Sequence, residues 1–71
     1  MEREAWKRKL GQNIKKFRQE KGLTQEQAAG QYDCTARHWQ RLEEGSQNPS
    51  AAVLVKLARM LGIKPSRLLE W

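Results

Sequence analysis

Apolar residues in this chain recur every three or four positions and nowhere alternate, so it reads as packed helices with no sheet. Trp6, Leu10, Ile14 and Phe17 step by four, four and three along one face of a first helix. Between them stand Lys7, Arg8, Lys9, Lys15, Lys16 and Arg18, which make the opposite face basic. Gly11 weakens this helix by about 1 kcal/mol relative to alanine. Gly22, after Lys21, suits a left-handed helix end. Val, Ile and Thr are scattered, and there is no repeat or low-complexity segment.

Capping residues divide the rest into further helices. Thr24 opens a second helix running to about Tyr32, and Gln27 stands where a capping box places Glu or Gln. Asp33-Cys34-Thr35 is a short break, after which Thr35 caps a third helix ending near Glu43. Gly45-Ser46-Gln47-Asn48-Pro49 is a loop by composition. Ser50 caps a fourth helix with Val53, Leu54, Leu57, Ala58 and Leu61 inward and Gly62 at its end. Ile63-Lys64-Pro65-Ser66 leads into a short fifth helix carrying Leu68 and Leu69. The expected fold is all-α, a compact five-helix domain spanning residues 1–71 as a single unit.

A chain of 71 residues has no room for a second domain or for a substrate cavity of ordinary enzyme size. Fourteen Lys and Arg against eight Asp and Glu give a net charge of +6. That excess favours a polyanionic partner, nucleic acid before an anionic membrane surface, although it also serves plain solubility. One Cys and one His exclude a disulfide framework and a four-coordinate Cys/His zinc site, so no metal or cofactor is expected. No stretch approaches the roughly 20 apolar residues of a membrane span. Met1-Glu2-Arg3-Glu4-Ala5-Trp6 lacks the apolar run of a signal peptide. A soluble, cytoplasmic protein without membrane contact is expected. It is not expected to be an enzyme: His38 has no companion Cys, Ser or carboxylate at a catalytic spacing, and no Gly-rich phosphate loop is present.

The segment of about residues 24–44 carries the informative pattern. Two helices joined by a turn of three or four residues need a small residue where they cross, and Ala29 stands there beside Ala28. The turn needs a residue that tolerates a left-handed conformation, and Asp33 does so less well than glycine. Trp39 and Leu42, three apart, send the third helix's apolar side inward, which leaves Ala36, Arg37, His38, Gln40 and Arg41 to face outward. Such spacing matches a DNA-reading helix-turn-helix.

From about Leu10 to Leu69 the chain resembles the Xre-like helix-turn-helix group of phage repressor and Cro proteins. The resemblance rests on Ile14-Lys15-Lys16-Phe17-Arg18 with Lys21-Gly22-Leu23-Thr24-Gln25, then on Leu42-Glu43-Glu44-Gly45 with Asn48-Pro49-Ser50, and on Leu57-Ala58-Arg59-Met60-Leu61-Gly62-Ile63. It implies a lambda-repressor-like fold. Three positions depart from the family's habit: Asp33 replaces the usual turn glycine, Ala28 a leucine, and Trp39 an Ile or Val. The last two are expected to compensate, a large residue lost opposite one gained.

What the resemblance implies for function is a transcriptional regulator, a repressor, that reads double-stranded DNA in the major groove with its third helix. Ala36, Arg37 and Arg41 match the base-contacting positions. Arginine suits that role because its planar fork bonds guanine O6 and N7 together, and alanine can meet a thymine methyl. Gln25 matches a phosphate-contacting position, while Thr24, His38, Gln40 and Ser46 are secondary candidates for phosphate or base contact. Arg18 and Glu43 match an ion pair that holds the first helix to the end of the third. Glu44 would repel a nearby phosphate where relatives carry cations. Cys34 is expected as a buried, inert thiol. A homodimer is expected, since one module offers little surface for tight specific binding. The competing reading is a protein-interaction module, such as an antitoxin, meeting its partner at an apolar tip of Leu68, Leu69 and Trp71.

Overall fold

The computed structural model describes residues 5–71; residues 1–4, with which the expected domain begins, lie outside the described residues. Four α-helices follow in order: α1 (Ala5–Glu20), α2 (Gln25–Tyr32), α3 (Ala36–Glu44) and α4 (Ala51–Leu61). A 3-10 helix, Pro65–Leu69, comes last, and the described residues contain no strand.

Local chemistry sets the helix boundaries. The Thr24 hydroxyl accepts the Gln27 N–H while the Gln27 side chain accepts the Thr24 N–H, a complete capping box. Thr35 accepts the His38 N–H and Ser50 accepts the Val53 N–H. Each such cap contributes about 1 kcal/mol. All four α-helices close in the same way, with an N–H reaching back five residues: Leu23 to Arg18, Cys34 to Ala29, Ser46 to Arg41 and Ile63 to Ala58. The left-handed residue that permits this is Asp33 at the end of α2, with φ 69°, and glycine at the other three ends.

Asp33 therefore carries strain that a glycine would not. Left-handed backbone costs a side chain about 1–2 kcal/mol, partly offset because glycine gains freedom in the unfolded chain. Asp33→Gly is expected to raise the thermal midpoint by a few degrees, at about 4–8 °C per kcal/mol for a domain of this size. Thermal unfolding followed by circular dichroism checks it; an unchanged or lower midpoint would show that the aspartate is not strained.

The core gathers one side of every element: Leu10, Ile14 and Phe17; Ala28, Ala29 and Tyr32; Trp39 and Leu42; Leu57, Ala58 and Leu61; and Leu68. Trp39 is wholly buried and meets the Tyr32 ring edge to face, with centroids 5.9 Å apart. Ala28 is also wholly buried in this cluster. Val53 and Leu54 pack on the core only half-buried.

Two glycines let α1 lie against the end of α3. A Cβ on Gly11 would stand 2.8 Å from the Glu43 carbonyl carbon, 2.9 Å from Leu42 O and closer still to Glu43 O. A Cβ on Gly45 would stand 2.8 Å from both Arg8 Cα and Lys7 O. In sequence Gly11 looked like a local weakness of α1. It is instead the point where the two backbones touch.

The C-terminal segment corrects two expectations. The fifth helix is a 3-10 helix, not an α-helix. Pro65 brings no N–H, Lys64 offers no capping side chain, and Arg67 N–H bonds Lys64 O only three residues back. Leu68 is wholly buried, so the expected apolar tip of Leu68, Leu69 and Trp71 does not exist as such. The Asn13 amide donates to Leu68 O and Glu70 O, each at 2.9 Å, and ties this segment to α1. Leu69 and Trp71 remain exposed, at 44% and 54%.

Candidate nucleic-acid interface

Helix α3 sorts its side chains by the helical period. Trp39, Leu42 and Glu43 point inward; Arg37, His38, Gln40, Arg41 and Glu44 are exposed, and Ala36 is half-buried. Arg37 and Arg41, one turn apart, share the middle of the outer face. Neither forms an ion pair among the described residues. The two edges of this face differ. On one, Gln40 Nε2 donates to Gln25 Oε1 at 3.3 Å, which joins α3 to the start of α2. On the other, His38 helps line a shallow cleft of about 270 Å³ with Tyr32, Gln47, Asn48 and Ser50.

Beneath that face lies a buried polar node. Arg18 Nε meets Glu43 Oε2 at 2.5 Å and Arg18 Nη2 meets Glu43 Oε1 at 3.2 Å. Trp39 Nε1 donates to Oε2 at 2.5 Å, and Gln25 Nε2 to Oε1 at 3.0 Å. Arg18 also donates to Leu23 O at 2.8 Å. Both members of the pair are buried, so every donor and acceptor must be matched inside the protein. Burial pushes the Glu43 carboxyl up, but hydrogen bonds from Arg18, Gln25 and Trp39, with the Arg18 charge, outweigh it and hold the group below the usual carboxylate range.

Sequence reasoning missed two parts of this node. Trp39 and Glu43 are four apart on one helix, a spacing at which the indole N–H reaches the carboxylate, and this signal was available. The Gln25 contact spans eighteen positions and left no local trace.

The other expected contact residues sit as follows. Thr24 is exposed, with its hydroxyl engaged in the α2 cap. Gln25 is half-buried, its amide held between Gln40 and Glu43. Ser46 directs both its N–H and its hydroxyl at Arg41 O, each at 3.2 Å, so neither points away from the loop. Lys15 and Lys16 are exposed on α1, and Lys16 lies over the Phe17 ring, as does Arg67. Cys34 is half-buried, less deeply than expected, with its thiol donating to Thr35 O. Burial raises its pKa foremost, with Asp33 adding to that; Lys56 and the Trp39 backbone N–H oppose it without reversing it. No group of three metal-ligating side chains occurs among the described residues, nor does any helix long and apolar enough to cross a membrane.

Two short helices, a three-residue turn closed by a left-handed Asp33, and two exposed arginines on the outer face of the second helix form one arrangement. The family model described as a helix-turn-helix domain matches residues 9–71. The chain belongs to the helix-turn-helix domain family. This helix-turn-helix protein is 37% identical over 54 residues to an uncharacterised HTH-type transcriptional regulator, y4dJ, of Sinorhizobium fredii, covering 76% of this chain and 70% of that one. Its fold is similar to that of the restriction-modification controller protein C.AhdI from Aeromonas hydrophila, with TM-score 0.82, 34% identity, and 90% and 97% of the two chains covered. It is also similar to the clp gene regulator ClgR from Corynebacterium glutamicum, with TM-score 0.83, 25% identity, and 90% and 83% covered. Family, relatives and fold agree on a DNA-binding transcription regulator.

Proposed function

We propose that this helix-turn-helix protein binds duplex DNA sequence-specifically as a transcriptional repressor, with α3 in the major groove and two copies acting together. It works as one domain over residues 1–71, centred on residues 24–44, in the cytoplasm, and by binding without catalysis. The observation that carries this reading is the pair Arg37 and Arg41, exposed one turn apart and without ion-pair partners among the described residues. Two such forks in one groove read guanines, and Ala36 beside them leaves room for a thymine methyl. Gln25 and Thr24, at the start of α2, take the phosphate position where the first helix of the motif crosses the backbone. His38 flanks the face as a secondary contact, whereas Gln40 is turned to Gln25 and the Ser46 donors to Arg41 O.

Leu69, Trp71 and Val55 are exposed apolar side chains that a second copy would cover. Half-sites would then lie about 34–36 Å apart. The similarity to a restriction-modification controller over 97% of that protein's length supports a regulatory role for a domain of this size.

Selection of duplexes from a random library, followed by competition binding, tests the reading. Arg37→Ala and Arg41→Ala are each expected to weaken the selected site by about 1–3 kcal/mol, or roughly 5- to 150-fold. Binding to mixed-sequence duplex should change little, and the thermal midpoint should not move. Equal losses on both DNAs would place the arginines on phosphates, and no loss would remove α3 as the reading helix.

A further inference from the structure

The contacts around Gln25 fix which way its amide faces. Glu43 is an ionised carboxylate that only accepts hydrogen bonds, so the Gln25 nitrogen must turn toward Glu43 Oε1, at 3.0 Å. Its oxygen then faces the opposite way and receives Gln40 Nε2 at 3.3 Å. Glu43 cannot rotate to relax this, because Arg18 binds both its oxygens and the Trp39 indole binds one of them. Order therefore passes outward from a buried ion pair, through Gln25, to an exposed residue on the same helix as Arg37 and Arg41. One N–H of the Gln25 amide remains to meet a phosphate oxygen.

We infer that Gln40 is a positioning residue, which sets the Gln25 amide for its phosphate contact and couples the reading helix to the DNA backbone without touching DNA itself. The inference rests on the DNA-binding reading above and deepens it. Gln40 stands next to Arg41 in sequence, yet its side chain is committed to α2. Its loss should consequently weaken binding to all sequences alike and leave base preference unchanged.

A double-mutant cycle tests this with the whole chain and one selected duplex plus one mixed-sequence duplex. Gln25→Ala and Gln40→Ala are each expected to lower affinity about 2- to 12-fold, the size of one net hydrogen bond. The double variant should lose no more than Gln25→Ala alone, on both duplexes, with the fold retained by circular dichroism and the thermal midpoint of Gln40→Ala unchanged. Additive losses, or a changed base preference in Gln40→Ala, would overturn the inference, since Gln40 would then contact DNA directly. In the free protein, Gln40→Ala should also shift the Gln25 side-chain amide resonances in a ¹⁵N spectrum; unmoved resonances would show that no bridge exists in solution. Failure of the folded wild type to bind either duplex at low salt would instead overturn the DNA-binding reading itself.

Discussion

Gly11→Ala is expected to destabilise the domain by about 1–3 kcal/mol or more, the cost of overpacking against atoms that cannot move aside. Helix propensity alone predicts the opposite, since alanine is the better helix former by about 1 kcal/mol. What decides the sign is the neighbour. The new Cβ would stand within 3.0 Å of Glu43 O, Glu43 C and Leu42 O, all of them backbone. To admit a methyl group, α1 would have to lift off the end of α3, straining the Arg18–Glu43 pair as well. A domain of this size has only about 4–10 kcal/mol of stability in total. Chemical denaturation checks the result, and a variant as stable as the wild type would mean that the helices are not in backbone contact.

Removing Glu43 is expected to be worse. Glu43→Ala leaves the Arg18 guanidinium buried without its anion, which costs about 3–5 kcal/mol, and it also strands the Trp39 indole N–H. Replacing the pair together, as Arg18→Met with Glu43→Leu, should recover much of that loss, because an apolar pair avoids desolvating both charges. The pH dependence follows from the carboxyl being held below its usual range. The unfolded chain then binds a proton more readily than the folded one, so the contribution is complete above the ordinary carboxylate range. It is lost as pH falls through the lower folded value. Urea midpoints measured from neutral to acid pH should drop more steeply for the wild type than for Glu43→Gln. Parallel curves would show that Glu43 is not the group responsible.

These two sites mark where the sequence stops being legible. Thr24, Thr35 and Ser50 announced their helices because a cap is settled within four residues. Arg37 and Arg41 were assigned to the outer face because the helical period around Trp39 and Leu42 leaves them no other. Gly11, by contrast, reads as a flaw in α1 until α3 is placed against it, and only the tertiary crossing shows that a side chain would not fit. Leu68 read as part of an exposed tip because its burial follows from docking on distant elements, a docking that Asn13, fifty-five positions earlier, helps to tie down. The 3-10 geometry of Pro65–Leu69 turns on a missing cap and a missing N–H, in a segment whose apolar spacing fits either kind of helix. Ser46 looked free to donate, and the way the chain leaves α3 turns both of its donors onto Arg41 O. Short-range chemistry was readable, and contacts between distant segments were not.

Reading of DNA by α3 is tested most directly by an NMR titration of the ¹⁵N-labelled protein with duplex DNA carrying a selected site, following backbone amides and arginine Nε–H groups. The largest shifts are expected on Gln25, Ala36, Arg37, Gln40 and Arg41, with the Arg37 and Arg41 Nε–H signals moving most and α4 nearly still. Shifts confined to Leu69 and Trp71, or to the basic face of α1 around Lys15 and Lys16, would contradict that reading, because α3 would then not be the surface that meets DNA.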